Sequence, residues 1–308
     1  MAFLAAGLAG ALLAAPSGAA PLTANEILSQ FNIVVTGDFA STSDVEGRTV
    51  VGGNLTHGAT FFNNPGAAAA SAFRALTVYG DVTAGGPLNV NNGGGAAIGG
   101  ASAAIINDNG GGGVTTGASL PGFQAHFADP LNALSAQLAG MAADSAPPAA
   151  PPGFPNNVML QASAGTGLAV FALTTAELAS YASFAVDLNG REGAVFNVTG
   201  ASFTATGNFL NALSVARDVI WNFVDAVTLD VRVQWGGTVL APKAAVSNTT
   251  PIEGTLFAAS FRGDGEMHSQ PFRPGVTPRG SPPTPVPVPA SLALLGLGLA
   301  GLAAVRRR

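Results

Sequence analysis

A recurring corner step constrains this chain more than any other feature. Glycine, then Asn or Asp, then an apolar residue occurs at Gly37-Asp38-Phe39, Gly53-Asn54-Leu55, Gly80-Asp81-Val82 and Gly207-Asn208-Phe209. Gly and Asn/Asp accept left-handed backbone angles, so each step is expected to turn the chain between short strands. The neighbouring runs have strand character: 32–36, 75–79, 168–173, 195–198, 228–233, 238–241 and 255–260. In 218–224, Val219, Trp221 and Phe223 fall on one face at period two, with Ile220, Asn222 and Val224 on the other.

The steps are irregularly spaced, which excludes an exact short repeat. Many four-to-six-residue strands with glycine corners predict a mostly β fold, a right-handed β-solenoid in which each coil covers its neighbour. A two-sheet β-sandwich is the rival. Phe123, Phe127, Leu131, Leu134 and Leu138 make one apolar stripe at helical spacing, with Gly140 at its end. One long helix is therefore expected beside the strands, with Pro130 kinking it or opening a new first turn. Thr174-Thr175-Ala176-Glu177 has capping-box spacing for a second, shorter helix. The proline-rich 146–155 and the glycine runs 93–95 and 110–113 read as loops, the glycine runs as mobile surface loops.

Composition narrows the function classes. Only 9% of residues are charged, against about 25% for an ordinary soluble domain. The net charge of −5 gives no basic surface for nucleic acid. The chain has no cysteine, which removes disulfides, thiolate metal sites and thiol catalysis together.

The two ends read as addresses. Residues 1–19 form an apolar stretch ending in small residues, and a signal peptide cleaved after Ala19 is expected. Residues 25–272 are the β-rich extracellular domain, and 273–289 a Pro-rich linker. Residues 290–305 carry no charge and are expected to cross the membrane, stopped by the cytoplasmic Arg306, Arg307 and Arg308. Both ends put the domain outside.

Val286, Pro287, Val288, Pro289 and Ala290, with the apolar run and arginines behind them, resemble a PEP-CTERM sorting signal of the Val-Pro-Leu-Pro-Ala type. The Glu of Pro-Glu-Pro is missing. The resemblance implies recognition by an exosortase-type sorting enzyme at the bacterial membrane, with removal of the tail; a plain, uncleaved anchor is the alternative. Phe31-Asn32-Ile33-Val34-Val35, Gly37-Asp38, Ser43-Asp44-Val45-Glu46-Gly47-Arg48 and Val51-Gly52-Gly53-Asn54 resemble the opening of the choice-of-anchor A family of bacterial surface proteins. The order of elements also resembles the right-handed solenoid of ice-binding proteins, a likeness of architecture that transfers no activity.

No catalytic constellation stands out. His57, His126 and His268 lack any metal-ligand spacing, and His126 falls on the polar side of its helix, where a solvated ring is expected. Asp38, Asp44 and Glu46 could bind calcium, although turn-forming or surface acids fit them better. Asn107-Asp108-Asn109-Gly110 reads as a turn, and Arg262-Gly263-Asp264 as a chance tripeptide. The expectation is a non-catalytic, exported cell-surface or matrix protein without a cofactor. A surface-binding module for extracellular polysaccharide, or for ice, comes second. A hydrolase comes last, to be revived by His57 or His268 lying beside two carboxylates in a cleft.

Overall fold

The computed structural model describes residues 20–58, 60–148 and 156–273. Among the described residues the protein is mostly β, and every ladder between strands is parallel. The antiparallel ladders of a sandwich are absent there.

The strands fall into three ranks. The first contains, in spatial order, Val114–Thr116, Ala96–Ile98, Leu76–Val78, Arg48–Val51, Phe31–Val35, Leu256–Gly263, Thr238–Asn248, Val219–Phe223, Gly193–Thr199 and Leu168–Thr174. This is not the order of the chain. The polypeptide enters mid-rank at Phe31–Val35 and steps out to Val114–Thr116. It resumes at the other end with Leu168–Thr174 and steps back. The last long strand therefore pairs with the first, Ile33 opposite Leu256, and a seam joins the two halves of the chain. Asn32 staples that seam from inside, donating to the carbonyls of Gly254 and His268 at 2.6 and 3.0 Å and accepting from Gly47 N.

Two long strands turn a corner and continue into the second rank. Thr238–Asn248 does so at a register break between Ala241 and Ala245, a span that includes Pro242. The second rank holds Ser202–Ala205, Thr228–Val231, the distal halves of these two long strands, Phe39–Ser41 and Leu55–His57. The short strands form three separate three-stranded sheets, taken together as the third rank: one with Val158–Gln161 and Ser183–Asp187, one with Ile252–Glu253 and Met267–His268, and one with Leu88–Val90 and Ile106–Asp108.

The corner steps work as expected, though for a different reason. Gly53 N donates to Gly37 O, Gly80 N to Gly53 O and Gly100 N to Gly80 O, at 2.9 to 3.0 Å. Beside this column, Asp38 accepts from Asn54 N, Asn54 from Asp81 N and Asp81 from Ala101 N. None of Gly37, Gly53, Gly80 or Gly207 takes a left-handed angle. Glycine is required because neighbouring corners touch: a Cβ on Gly53 would lie 2.7 Å from the carbonyl carbon of Gly37. The runs 93–95 and 110–113 are also not free loops. They stack as turns, with Gly93 N on Asn109 O, and Gly112 N and Gly113 N on the Asp108 carboxylate.

The core has two parts. Inside the ranks, Phe171, Phe196 and Trp221 stand in register on adjacent strands with ring centroids 4.5 and 4.3 Å apart. The other core lies outside the first rank, beneath the long helix. There Phe127, Leu131, Leu134 and Leu138 pack on Val34, Val50, Leu168, Val195, Ile220, Leu240 and Phe257. Each fully buried Leu or Phe contributes about 1.5–3 kcal/mol. The first rank is thus apolar on both faces, which explains the two-sided pattern of 218–224.

The helix begins as a π turn, Gln124–Ala128, and becomes α-helical at Asp129–Ala139. Pro130 has no N–H for the carbonyl of residue 126, so the chain widens at that point. His126 lies within this π turn. Its ring is buried, with Nδ1 3.1 Å from Gly122 O, and is not the solvated histidine expected. Two asparagines fasten the helix to the strands: Asn222 bonds Ser135 through both its oxygen and its nitrogen, and Asn197 donates to Leu138 O. The second helix, Thr175–Ala179, carries the expected capping box.

Candidate binding groove

Alternation along the second rank divides each strand into inward apolar and outward small or polar residues. Phe203, Leu229, Val246, Phe261, Phe39 and Leu55 point in. Outward, register aligns Thr204, Asp230, Ser247, Arg262 and Ala40, with His57 following at a bulge. A second column aligns Ser202, Thr228, Ala245 and Ser260. Because Ala40 and Ala245 are short, the surface sinks between longer neighbours. The result is an open groove of about 680 Å3, lined from both halves of the chain by stretches of 38–57 and 228–264. It straddles the seam where Phe39 pairs with Phe261.

The polar groups of the groove are unequally committed. Asp230 is engaged on both oxygens, by Ser247 Oγ at 2.9 Å and Arg232 Nε at 2.6 Å. Asp264 accepts from Thr42 Oγ1 at 2.7 Å, and Asp38 from Asn54 N. The Arg262 side chain is exposed and makes no hydrogen bond or ion pair among the described residues. All three residues of Arg262-Gly263-Asp264 line the groove, Arg262 and Asp264 exposed and Gly263 buried in the strand.

The acids considered for calcium are not gathered. Asp38 serves the corner, Asp44 accepts from Asn63, and Glu46 accepts from Ser269 N and Asn64. Among the described residues, no group of three His, Asp or Glu side chains could hold a metal ion.

His268 does lie beside two carboxylates, but on the third rank and outside the groove. Its Nδ1 is 2.8 Å from Glu253 and its Nε2 2.7 Å from Glu266. The bond to Glu253 lifts the imidazole strongly; partial burial opposes this, and Glu266 and Glu46 add to the lift, so the ring titrates at about 9. Burial works to raise the Glu253 carboxyl, yet the bonds from His268 and Gln234 and the nearby charge hold it below its ordinary value. Both ring nitrogens are held, so the cluster is an electrostatic clamp. It fastens the last strand, Met267–His268, to Ile252–Glu253.

The third rank also carries amide ladders that sequence reading missed. Asn109 donates to Asn91, Asn91 to Asn63 and Asn63 to Asp44, at 2.8 to 3.1 Å, while Asn107 donates to Asn89. A shared spacing of 18 residues, 89 to 107 and 91 to 109, was the signal that could have revealed them.

Ala19, the motif Val286 to Ala290, the span 290–305 and Arg306 to Arg308 lie outside the described residues. Among the described residues no helix is long and apolar enough to cross a membrane.

Comparison with known proteins separates the chain into the same body and tail. A PEP-CTERM protein-sorting motif matches residues 285–308, which indicates export and membrane-associated sorting. No curated protein matches. The crystal structure of an ice-binding protein from the Antarctic ascomycete Antarctomyces psychrotrophicus is similar over 79% of this chain and 96% of that one. The identity is 13% and the TM-score 0.32, too low to bear on fold or function. The family of ice-binding-like adhesive domains matches residues 24–269, and the protein belongs to that family.

Proposed function

We propose that the protein is an exported, non-catalytic adhesin whose second-rank groove holds a polysaccharide at the cell surface or in the extracellular matrix. The groove is the observation that carries the reading: a concave, largely apolar surface on a parallel scaffold, set with a few polar groups and with an arginine side chain that has no partner among the described residues. The adhesive-domain family and the sorting motif agree with it. Ice fits the groove less well, because an ice surface needs a flat and regular array. In this reading the three ranks are the faces of a right-handed β-solenoid, and the body, 25–272, is of the choice-of-anchor A type.

Delivery follows from the ends. Residues 1–19 are a signal peptide cut after Ala19, and 273–289 are a spacer. An exosortase-type enzyme reads Val286-Pro287-Val288-Pro289-Ala290, while 290–305 and Arg306 to Arg308 hold the precursor in the membrane. Mass spectrometry of the mature protein from native cells tests this: an end near Pro289 supports processing, and an intact Arg308 overturns it. Binding is tested with Ala245→Trp, which fills the groove from an exposed position. Loss of adhesion to matrix polysaccharide, with unchanged stability, is expected. Unchanged adhesion would remove the groove from the account.

A further inference from the structure

We infer that the occupant of the groove is an uncharged, hydroxyl-rich polysaccharide strand laid across the β-strands and read at its centre by Arg262. The inference rests on the groove being the binding face. It deepens that reading by naming the ligand class and the residue that selects it.

The argument is one of donors and acceptors. A guanidinium only donates and a carboxylate only accepts. Arg262 offers its whole fork, since nothing among the described residues engages it. Two strands away Asp230 is neutralised by Arg232. Asp38 and Asp264 each keep one oxygen without a hydrogen-bond donor among the described residues, their other oxygens going to Asn54 N and the Thr42 hydroxyl. The groove therefore sets a donor fork among free acceptor oxygens, with the hydroxyls of Thr228 and Ser260 farther along. Neighbouring strands are about 4.8 Å apart, so these groups recur on the scale of adjacent hydroxyls of a sugar chain. Vicinal hydroxyls both donate and accept, and they satisfy such a mixture without bringing charge.

A polyanion would satisfy Arg262 but would also meet Asp38 and Asp264, and like charges placed together oppose binding. A nearly neutral chemistry remains. The groove also straddles the seam, with Phe39 and Phe261 paired beneath it. A strand bound there touches both halves of the chain and stabilises the closed seam by linkage.

The test uses the full-length protein in mild detergent, titrated with dextran or xylan and, separately, with alginate. Binding to a neutral glycan is expected to change less than about twofold between roughly 50 and 500 mM salt. It should raise the thermal midpoint. Arg262→Ala should weaken it roughly 10- to 100-fold, and Arg262→Lys less. A preference for alginate that collapses with salt would overturn the ligand class. Equal binding by Arg262→Ala would overturn the role of Arg262. In either case the groove reading survives if Ala245→Trp still blocks binding. If no polymer binds, or Ala245→Trp has no effect on binding, the groove reading fails and takes this inference with it.

Discussion

The corner column makes a sharp prediction about Gly53. A Cβ at Gly53 would lie 2.5 Å from Asp38 Oδ1, 2.7 Å from the Gly37 carbonyl carbon and 2.9 Å from its oxygen. Two of these atoms are backbone, so no side-chain rotation relieves the contact. Relief requires the two corners to part, which strains the bonds Gly53 N to Gly37 O at 2.9 Å and Asn54 N to Asp38 at 2.7 Å. Overpacking costs about 1–3 kcal/mol, and each weakened hydrogen bond about 0.5–1.5 kcal/mol. Gly53→Ala should therefore destabilise by about 2–6 kcal/mol. Gly85→Ala is the control: nothing lies within 4 Å of its new Cβ, and its φ is not left-handed. It should be neutral or stabilise by up to about 1 kcal/mol through the unfolded chain. Equilibrium urea unfolding measures both, the midpoint shifting at constant slope. If Gly53→Ala stays within about 0.5 kcal/mol of the parent, close coil contact is not why glycine is there.

The His268 clamp should make stability depend on pH on the alkaline side. The folded ring titrates at about 9 and the free one near 6.5. The contribution is thus fully present below about 6.5 and is lost as pH rises toward 9, to the extent of about 1–2 kcal/mol after solvent screening. His268→Gln should abolish that slope in urea titrations, and an unchanged slope would assign it elsewhere. Asn222→Ala leaves Ser135 and Asn197 without their partner beneath the helix. It should cost about 3–5 kcal/mol, measured by thermal unfolding; a loss under about 1 kcal/mol would mean that the helix is held by its apolar stripe alone.

Local features were readable from sequence to the extent that their causes are local. The stripe from Phe127 to Leu138 and the capping box at Thr174 are properties of one segment, and both form as expected. The corners at Gly37, Gly53 and Gly80 are legible in the sequence, but their cause, contact with the neighbouring corner, lies outside the segment. His126 was misplaced because Pro130 changes the helical period just before it. The groove was hidden more deeply. Its columns join Ala40 to Arg262, residues brought together when the chain starts mid-rank and ends beside its own beginning. No periodicity within a segment encodes that return. His268 and Glu253 likewise meet across coils.

Hydrogen exchange of the full-length protein, free and bound to a neutral polysaccharide, tests the account most directly. Protection greatest at Phe39–Ser41, Leu55–His57, Thr228–Val231 and the distal halves of Thr238–Asn248 and Leu256–Gly263 is the predicted result. Protection on the amide ladders from Asn63 to Asn109, with the groove unchanged, would contradict it.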